Sequence, residues 1–294
     1  MIPVSVLPKW LNRAVTPAAS AAVACFMTAI AADATHIAAA QARLDAEYTV
    51  TLSGIPIARG NWVIDITEDQ YSASATGMTS GLLRLFNGGH GTSAANGTFS
   101  GGQLAPTSYA ANVNYNRTVD QVRIVLAGGN VKDYSVDPPV TPYPDRIPVS
   151  DADRRGVVDP MTSVIARVGG SGNPISPQAC NRKVSVFDGR LRYDLNSEFK
   201  RLDRVKADKG YIGPVAVCAV FFTPISGYVP DRALIKYLTA MRDAEVWLAP
   251  ISGTRVVVPF RFSMPTPLGP GVMEATQFVS IAEPAHVGAS AKTE

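Results

Sequence analysis

Leu44-Asp45-Ala46-Glu47-Tyr48-Thr49-Val50-Thr51-Leu52 decides how the chain reads. Apolar side chains at 44, 46, 48, 50 and 52 alternate with polar ones at 45, 47, 49 and 51, the period of a strand with one wet face. Gly54-Ile55-Pro56 turns the chain, and Trp62, Ile64 and Ile66 resume the alternation against Asn61 and Asp65. A third strand over 70–76 carries Tyr71, Ala73 and Ala75. Further strands are predicted over 91–99, 107–115, 121–126 and 131–136, the last two joined by Gly128-Gly129-Asn130. Short strands between tight turns form a meander that curls into a barrel or sandwich.

Residues 137–149 break the pattern with Pro138, Pro139, Pro142, Pro144 and Pro148, which remove backbone donors and forbid central strands, so this segment reads as a crossing loop. A helix is predicted after it. Asp159 can cap, Pro160 suits the first helical position, and Met161, Val164, Ile165 and Val168 share a face before Gly169-Gly170-Ser171-Gly172 ends it. Strands at 183–187 and 190–199 flank Asp188-Gly189, a two-residue hairpin signal. Residues 211–223 make the most apolar strand, with Val184, Leu191, Tyr193 and Val217 as expected core partners. A short helix at 231–241 and strands near 244–248, 254–263 and 272–281 complete the chain. The expected fold is all-β: an antiparallel meander of about a dozen strands curled into an open barrel or spiral, with one or two short helices. It occupies a single domain over 43–284, followed by a flexible tail at 285–294.

Composition agrees with a turn-rich globular chain. Of 294 residues 46% are hydrophobic and 17% charged, with 24 glycines and 22 prolines, which excludes a disordered tail protein. A net charge of +3 is too near neutral for a nucleic-acid binder.

The first 42 residues read as a signal peptide. Lys9 and Arg13 precede the alanine-rich apolar run 14–32, and small residues suited to a signal peptidase follow up to Ala42. Cleavage is expected between Ala31 and Arg43, leaving a periplasmic protein without a transmembrane span; an uncleaved anchor helix is the alternative. Ala22-Val23-Ala24-Cys25 only superficially matches a lipoprotein box. Cys180 and Cys218 then remain, and in an oxidising compartment a bridge is expected rather than two free thiols. Their Cα atoms must then lie within roughly 7 Å.

Several strings resemble the bacterial family of domain of unknown function 3108. They are the strand-Gly-strand opening at 48–60, Gly156-Val157-Val158-Asp159-Pro160-Met161, and Phe187-Asp188-Gly189-Arg190-Leu191-Arg192-Tyr193-Asp194-Leu195. Pro224-Ile225-Ser226-Gly227-Tyr228, Val246-Trp247-Leu248 and Val258-Pro259-Phe260-Arg261 extend the match over most of the expected mature chain. The resemblance implies an envelope protein built on an extended, curled antiparallel sheet, similar to the open barrels of periplasmic lipoprotein carriers. It brings no enzymatic activity, cofactor or catalytic residue with it.

Motifs for chemistry are few. None of G-x-S-x-G, H-E-x-x-H, G-x-x-x-x-G-K-[ST] or G-x-G-x-x-G occurs. His90 near Ser93 is a conceivable dyad, though a surface-loop histidine is the plain reading, and His286 lies in the tail. No metal or cofactor is expected. Two features suggest binding instead. Residues 182–209 hold nine basic and five acidic side chains, either a solvated hairpin laced with ion pairs or a positive rim for an anionic envelope ligand. Met78 to Phe86 holds an apolar cluster, either a plug or a lid over a lipid-sized cavity. Trp62, Leu82, Leu85 and Phe86 are the candidates for wall or lid. Arg190 and Arg192, two apart on one predicted strand, are the candidates for the rim. The expected function is non-catalytic: a lipid-like ligand held in a curled sheet, with a scaffold for other envelope proteins, or a hydrolase of envelope polymers, as the competing readings.

Overall fold

The alternation at the start of the chain produces the strand it predicts. In the computed structural model, which describes residues 42–81, 88–116 and 118–282, Ala42, Leu44, Ala46 and Tyr48 of β1 (Ala42–Leu52) are buried while Arg43 and Glu47 are exposed. β1 pairs antiparallel with β2 (Ile55–Ile66) on one side and with β15 (Gly271–Ala282) on the other. From β2 the sheet runs outward as a meander through β3 (Gln70–Thr79), β4 (Gly89–Ser100), β5 (Gln103–Tyr115), β6 (Thr118–Ala127) and β7 (Asn130–Asp137). From β15 it runs the other way through β14 (Val256–Met264), β13 (Glu245–Pro250), β12 (Ile212–Ser226), β10 (Arg192–Lys206) and β9 (Arg182–Phe187). Two-residue strands, β8 (Ala166–Arg167) against β14 and β11 (Lys209–Gly210) parallel to β15, bring the described strands to fifteen. The curled antiparallel sheet expected from the sequence is the fold, and the described residues all fall in one compact unit. The expected signal peptide, apart from Ala42 at the head of β1, and the tail at 285–294 lie outside the described residues.

β7 and β9 end the two meanders, and unpaired edges invite pairing with other chains. Here residues 155–158 fill the gap. Arg155 bridges Asn130, and the Val157 N–H donates to Gly129 O at 2.8 Å, which anchors the segment at the β6–β7 turn and the first residue of β7. On the β9 side the Val158 N–H donates to Ser185 O at 2.9 Å, and the Phe187 N–H donates to Val158 O at 3.0 Å. Side chains close the same seam: Phe187 meets the Tyr134 ring edge-on at 5.3 Å, in a cluster with Ile124, Leu126 and Val157. Gly189 sits against this seam with φ +93°, and a Cβ there would come within 2.9 Å of both Val122 and Val136. Only glycine meets both demands.

β12 is apolar on both faces because both are covered. Val215 and Val217 join the main core with Leu44, Ile64, Phe260 and Phe278, while Ala216 and Cys218 pack in a second cluster with Ala166, Val168 and Cys180. The bridge expected from the sequence forms there: Cys180 and Cys218 are bonded, their Cα atoms 5.3 Å apart.

Two local expectations are corrected. The helix after Asp159 is a single turn, Pro160–Ser163, because the chain then extends into β8; Asp159 does cap it, accepting from the Met161 and Thr162 N–H groups at 2.9 Å. The Asp188-Gly189 connection is a four-residue turn rather than a two-residue hairpin. Phe187 pairs with Arg192, and Asp188 Oδ1 accepts from the Arg190 and Leu191 N–H groups. Arg190 is therefore in the turn, not on the strand. The other predicted helix is present at Ala233–Ala240.

Val158→Pro removes the donor that bonds Ser185, so it should cost about 1–3 kcal/mol of stability. Hydrogen exchange at the Phe187 amide should accelerate more than at the β1–β2 amides; uniform change across the sheet would contradict the seam. Reduction of the bridge, which spans a sequence separation of 38, should lower unfolding stability by about 4 kcal/mol in the chain-entropy picture. Denaturant melts with and without reductant measure that loss directly.

Candidate functional site: an apolar cavity behind a glycine row

Register brings side chains together that sequence spacing does not. Tyr48 pairs with Gly60, Gly60 with Gly77, Gly77 with Gly91, and Gly91 with Val113 across five adjacent strands. Directly opposed residues point to the same face, so three consecutive positions of that row carry no side chain. The next row, Ala46, Trp62, Ala75, Ser93 and Ala111, is small except for the indole. The space left open is a cavity of about 960 Å³ inside the curl, lined mostly by carbon. That is near the top of the range of about 300–1,000 Å³ for small-molecule sites. Its far wall comes from β10, β12, β13 and β14, with Leu195, Phe222, Leu248 and Phe262 facing β1–β5, and the Pro160–Ser163 turn supplies Met161.

Polar atoms make up little of the wall's exposed surface. The Tyr48 hydroxyl donates to Pro259 O at 2.7 Å, tying β1 to β14 with β15 between them in the sheet, and burial pushes its pKa up. Burial also raises Tyr109, to about 12, with the nearby charges of Asp159 and Asp188 adding to the shift. Trp62 is 8% exposed and lines the cavity, and among the described residues its indole N–H has no acceptor. Arg182 also lines the cavity. Its guanidinium donates to Ile165 O at 3.1 Å, pairs with no described carboxylate, and is lowered by burial to about 10, which leaves it charged at neutral pH.

The residues singled out from the sequence divide. Trp62 is in the cavity wall as expected. Leu82, Leu85 and Phe86 lie outside the described residues, while Met78, at the start of the same apolar cluster, lines the cavity from β3. Arg190 and Arg192 are not at the cavity. Arg190 reaches from the turn to Asp120 at 3.0 Å and to Pro138 O at 3.1 Å, clasping the seam. Arg192 is mostly buried against Asp194 at 2.6 Å and the Ser185 hydroxyl at 2.7 Å. Both guanidinium groups are consumed by structure, so they form no free rim. Lys183–Asp194, Lys200–Glu245 and Arg201–Glu245 pairs engage three of the seven remaining basic side chains of the segment. The site residues missed were Gly60, Gly77, Gly91 and Arg182: the glycines gain meaning only from register, and Arg182 looked like one of nine cations.

His90 and Ser93 both border the cavity but stand three apart on β4, on opposite faces of the strand, an arrangement unlike a Ser–His pair. Among the described residues no group of three or more His, Cys, Asp or Glu is placed to hold a metal, and no helix is long and apolar enough to cross a membrane.

A curled, mostly antiparallel sheet around an apolar chamber defines a barrel-like protein. Within that class the chain belongs to the family described as protein of unknown function (DUF3108), which matches residues 47–276. It is also similar to the crystal structure of a beta-barrel-like protein of domain of unknown function DUF1849 from Brucella abortus, with 8% identity and a TM-score of 0.46 over 83% of this chain and 98% of that one. No curated protein matches the chain.

Asp194 measures how structural the arginine cluster is. Burial pushes its carboxyl up, but hydrogen bonds from Arg192, Ser185 and Lys183 outweigh it and hold the group below its ordinary value. A depressed folded pKa stabilises above the unfolded value and loses that contribution as pH falls. Asp194→Asn should cost about 3 kcal/mol at pH 7, with the gap from wild type closing below a pH of about 4. Thermal melts at both pH values check it; a pH-independent gap would disconnect Asp194 from the ion pairs.

Proposed function

We propose that this is an exported, non-catalytic protein of the bacterial envelope that holds a lipid-like apolar ligand inside its curled sheet. The observation that carries the reading is the glycine row: three adjacent strands omit side chains at one level, and an apolar chamber of about 960 Å³ results. A sheet evolved only as a scaffold would be expected to fill such a space, because interiors normally pack without voids larger than a water molecule. The basic-apolar-small N-terminal sequence supports export, and the Cys180–Cys218 bridge is compatible with an oxidising compartment.

Gly77 offers a clean test. Its backbone conformation is ordinary, and an added Cβ would meet nothing nearer than Arg59 O at 3.9 Å. By contrast, a Cβ on Gly60 would strike Thr76 O at 2.5 Å. Gly77→Leu should therefore occupy the chamber without straining the sheet. Binding of a fluorescent fatty-acyl probe, measured by titration, should fall at least roughly ten-fold while the melting temperature holds or rises. Equal binding by both forms, or none by wild type, would refute the reading.

A further inference from the structure

The cavity has a polar neighbour. A second depression of about 680 Å³ lies against it, and the two share Arg182, Ser197 and Phe222 in their walls. Its charged lining is Arg182, Lys183, Arg242 and Glu198, an excess of cations. Lys183 is engaged with Asp194 at 3.4 Å. Among the described residues Arg242 donates only to the Thr239 and Met241 carbonyls at the end of helix Ala233–Ala240. Of the five N–H donors on a guanidinium, the Arg182 bond to Ile165 O uses one. Two arginines without carboxylate partners among the described residues thus stand where an apolar chamber meets a polar mouth.

A charge in such surroundings is costly unless something pairs with it. Arg182 is also held in place: it follows Cys180 by two residues, its N–H donates to Cys180 O at 2.6 Å, and Cys180 is bonded to Cys218 of β12. A guanidinium fixed at that boundary is preorganised for an oxyanion, which it meets through paired N–H bonds.

Resting on the proposal of a lipid-like ligand, we infer that the ligand is an amphiphile with an anionic head, carboxylate or phosphate. Its chain lies in the chamber beside Trp62 and Phe222, and its head is bound at the mouth by Arg182 and Arg242. Charge complementarity selects this occupant over a neutral lipid, because a neutral head would leave Arg182 unpaired.

Calorimetric titration of the whole protein with hexadecanoate and with hexadecanol tests it, since the two probes share a chain and differ in head charge. Wild type should bind hexadecanoate roughly ten- to hundred-fold more tightly, the range expected for hydrogen bonds to a charged group. Arg182→Gln and Arg242→Gln should each bring hexadecanoate affinity down toward that for hexadecanol and so remove most of the preference, and Arg182→Lys should restore part of it. If Arg182→Gln fails to fold, Arg242→Gln, whose side chain is on the open side of the mouth, carries the comparison. Hexadecyl phosphate in place of hexadecanoate separates a phosphate site from a carboxylate site and supports the inference in either case. Equal binding of acid and alcohol by wild type would overturn the anionic head while leaving the apolar chamber occupied. Binding of neither would overturn both.

Discussion

A sheet that curls must dispose of two edges, and four residues do so here. Residues 155–158 bond Gly129 and Asn130 on one side and Ser185 and Phe187 on the other, so the start of β7 and the end of β9 are tied to one segment. Everything inside depends on that closure. Phe187 is buried in a cluster that includes Tyr134 and Ile124 across the seam, and the Arg190–Asp120 pair joins the β9–β10 turn to β6. An antiparallel meander of this length would otherwise lie open, and its chamber would be a shallow trough.

The cavity and the core are complementary uses of one surface. Toward the end of the curl with Leu44, Ile64 and Phe278, side chains fill the interior; toward Gly60, Gly77 and Gly91 they are withheld. Void on that scale forfeits dispersion contacts that a filled core would keep, so an empty row across three strands marks a place where close packing gives way to open space. The polar boundary is built on the opposite wall, where the bridge between Cys180 and Cys218 fixes the approach to Arg182.

Much of the architecture was legible in the sequence because period-two alternation is local: Leu44 to Leu52 and Trp62 to Ile66 announce their strands without reference to anything distant. Strand order in the meanders followed from short turns. What could not be read was whatever depends on register. Gly60, Gly77 and Gly91 lie in three separate strings and become one feature only when their strands pair. The arginines show the same limit in reverse. Arg190 and Arg192 are two apart and seemed to share a face, but the turn ran two residues longer than the Asp-Gly signal implied, and each found an acid partner at 120 or 194. Arg182 stood out in nothing but position. The helix after Asp159 was overestimated because Met161, Ile165 and Val168 are buried by the sheet rather than by helical periodicity.

The pairing of β1 with β15 also sets an order of events. Ala42 meets Ala282, and eleven such pairs join opposite ends of the described chain. The hairpins from β1 to β7 need only near neighbours and can form while later residues are still being supplied, but the free side of β1 stays unpaired until residues beyond 271 arrive. Contacts of such large sequence separation form slowly, since loop-closure entropy is lost before they reward it. The chamber therefore comes into being late and all at once, as the final strand docks, and a chain stopped short of β15 would expose the β1 edge and leave the chamber without part of its wall.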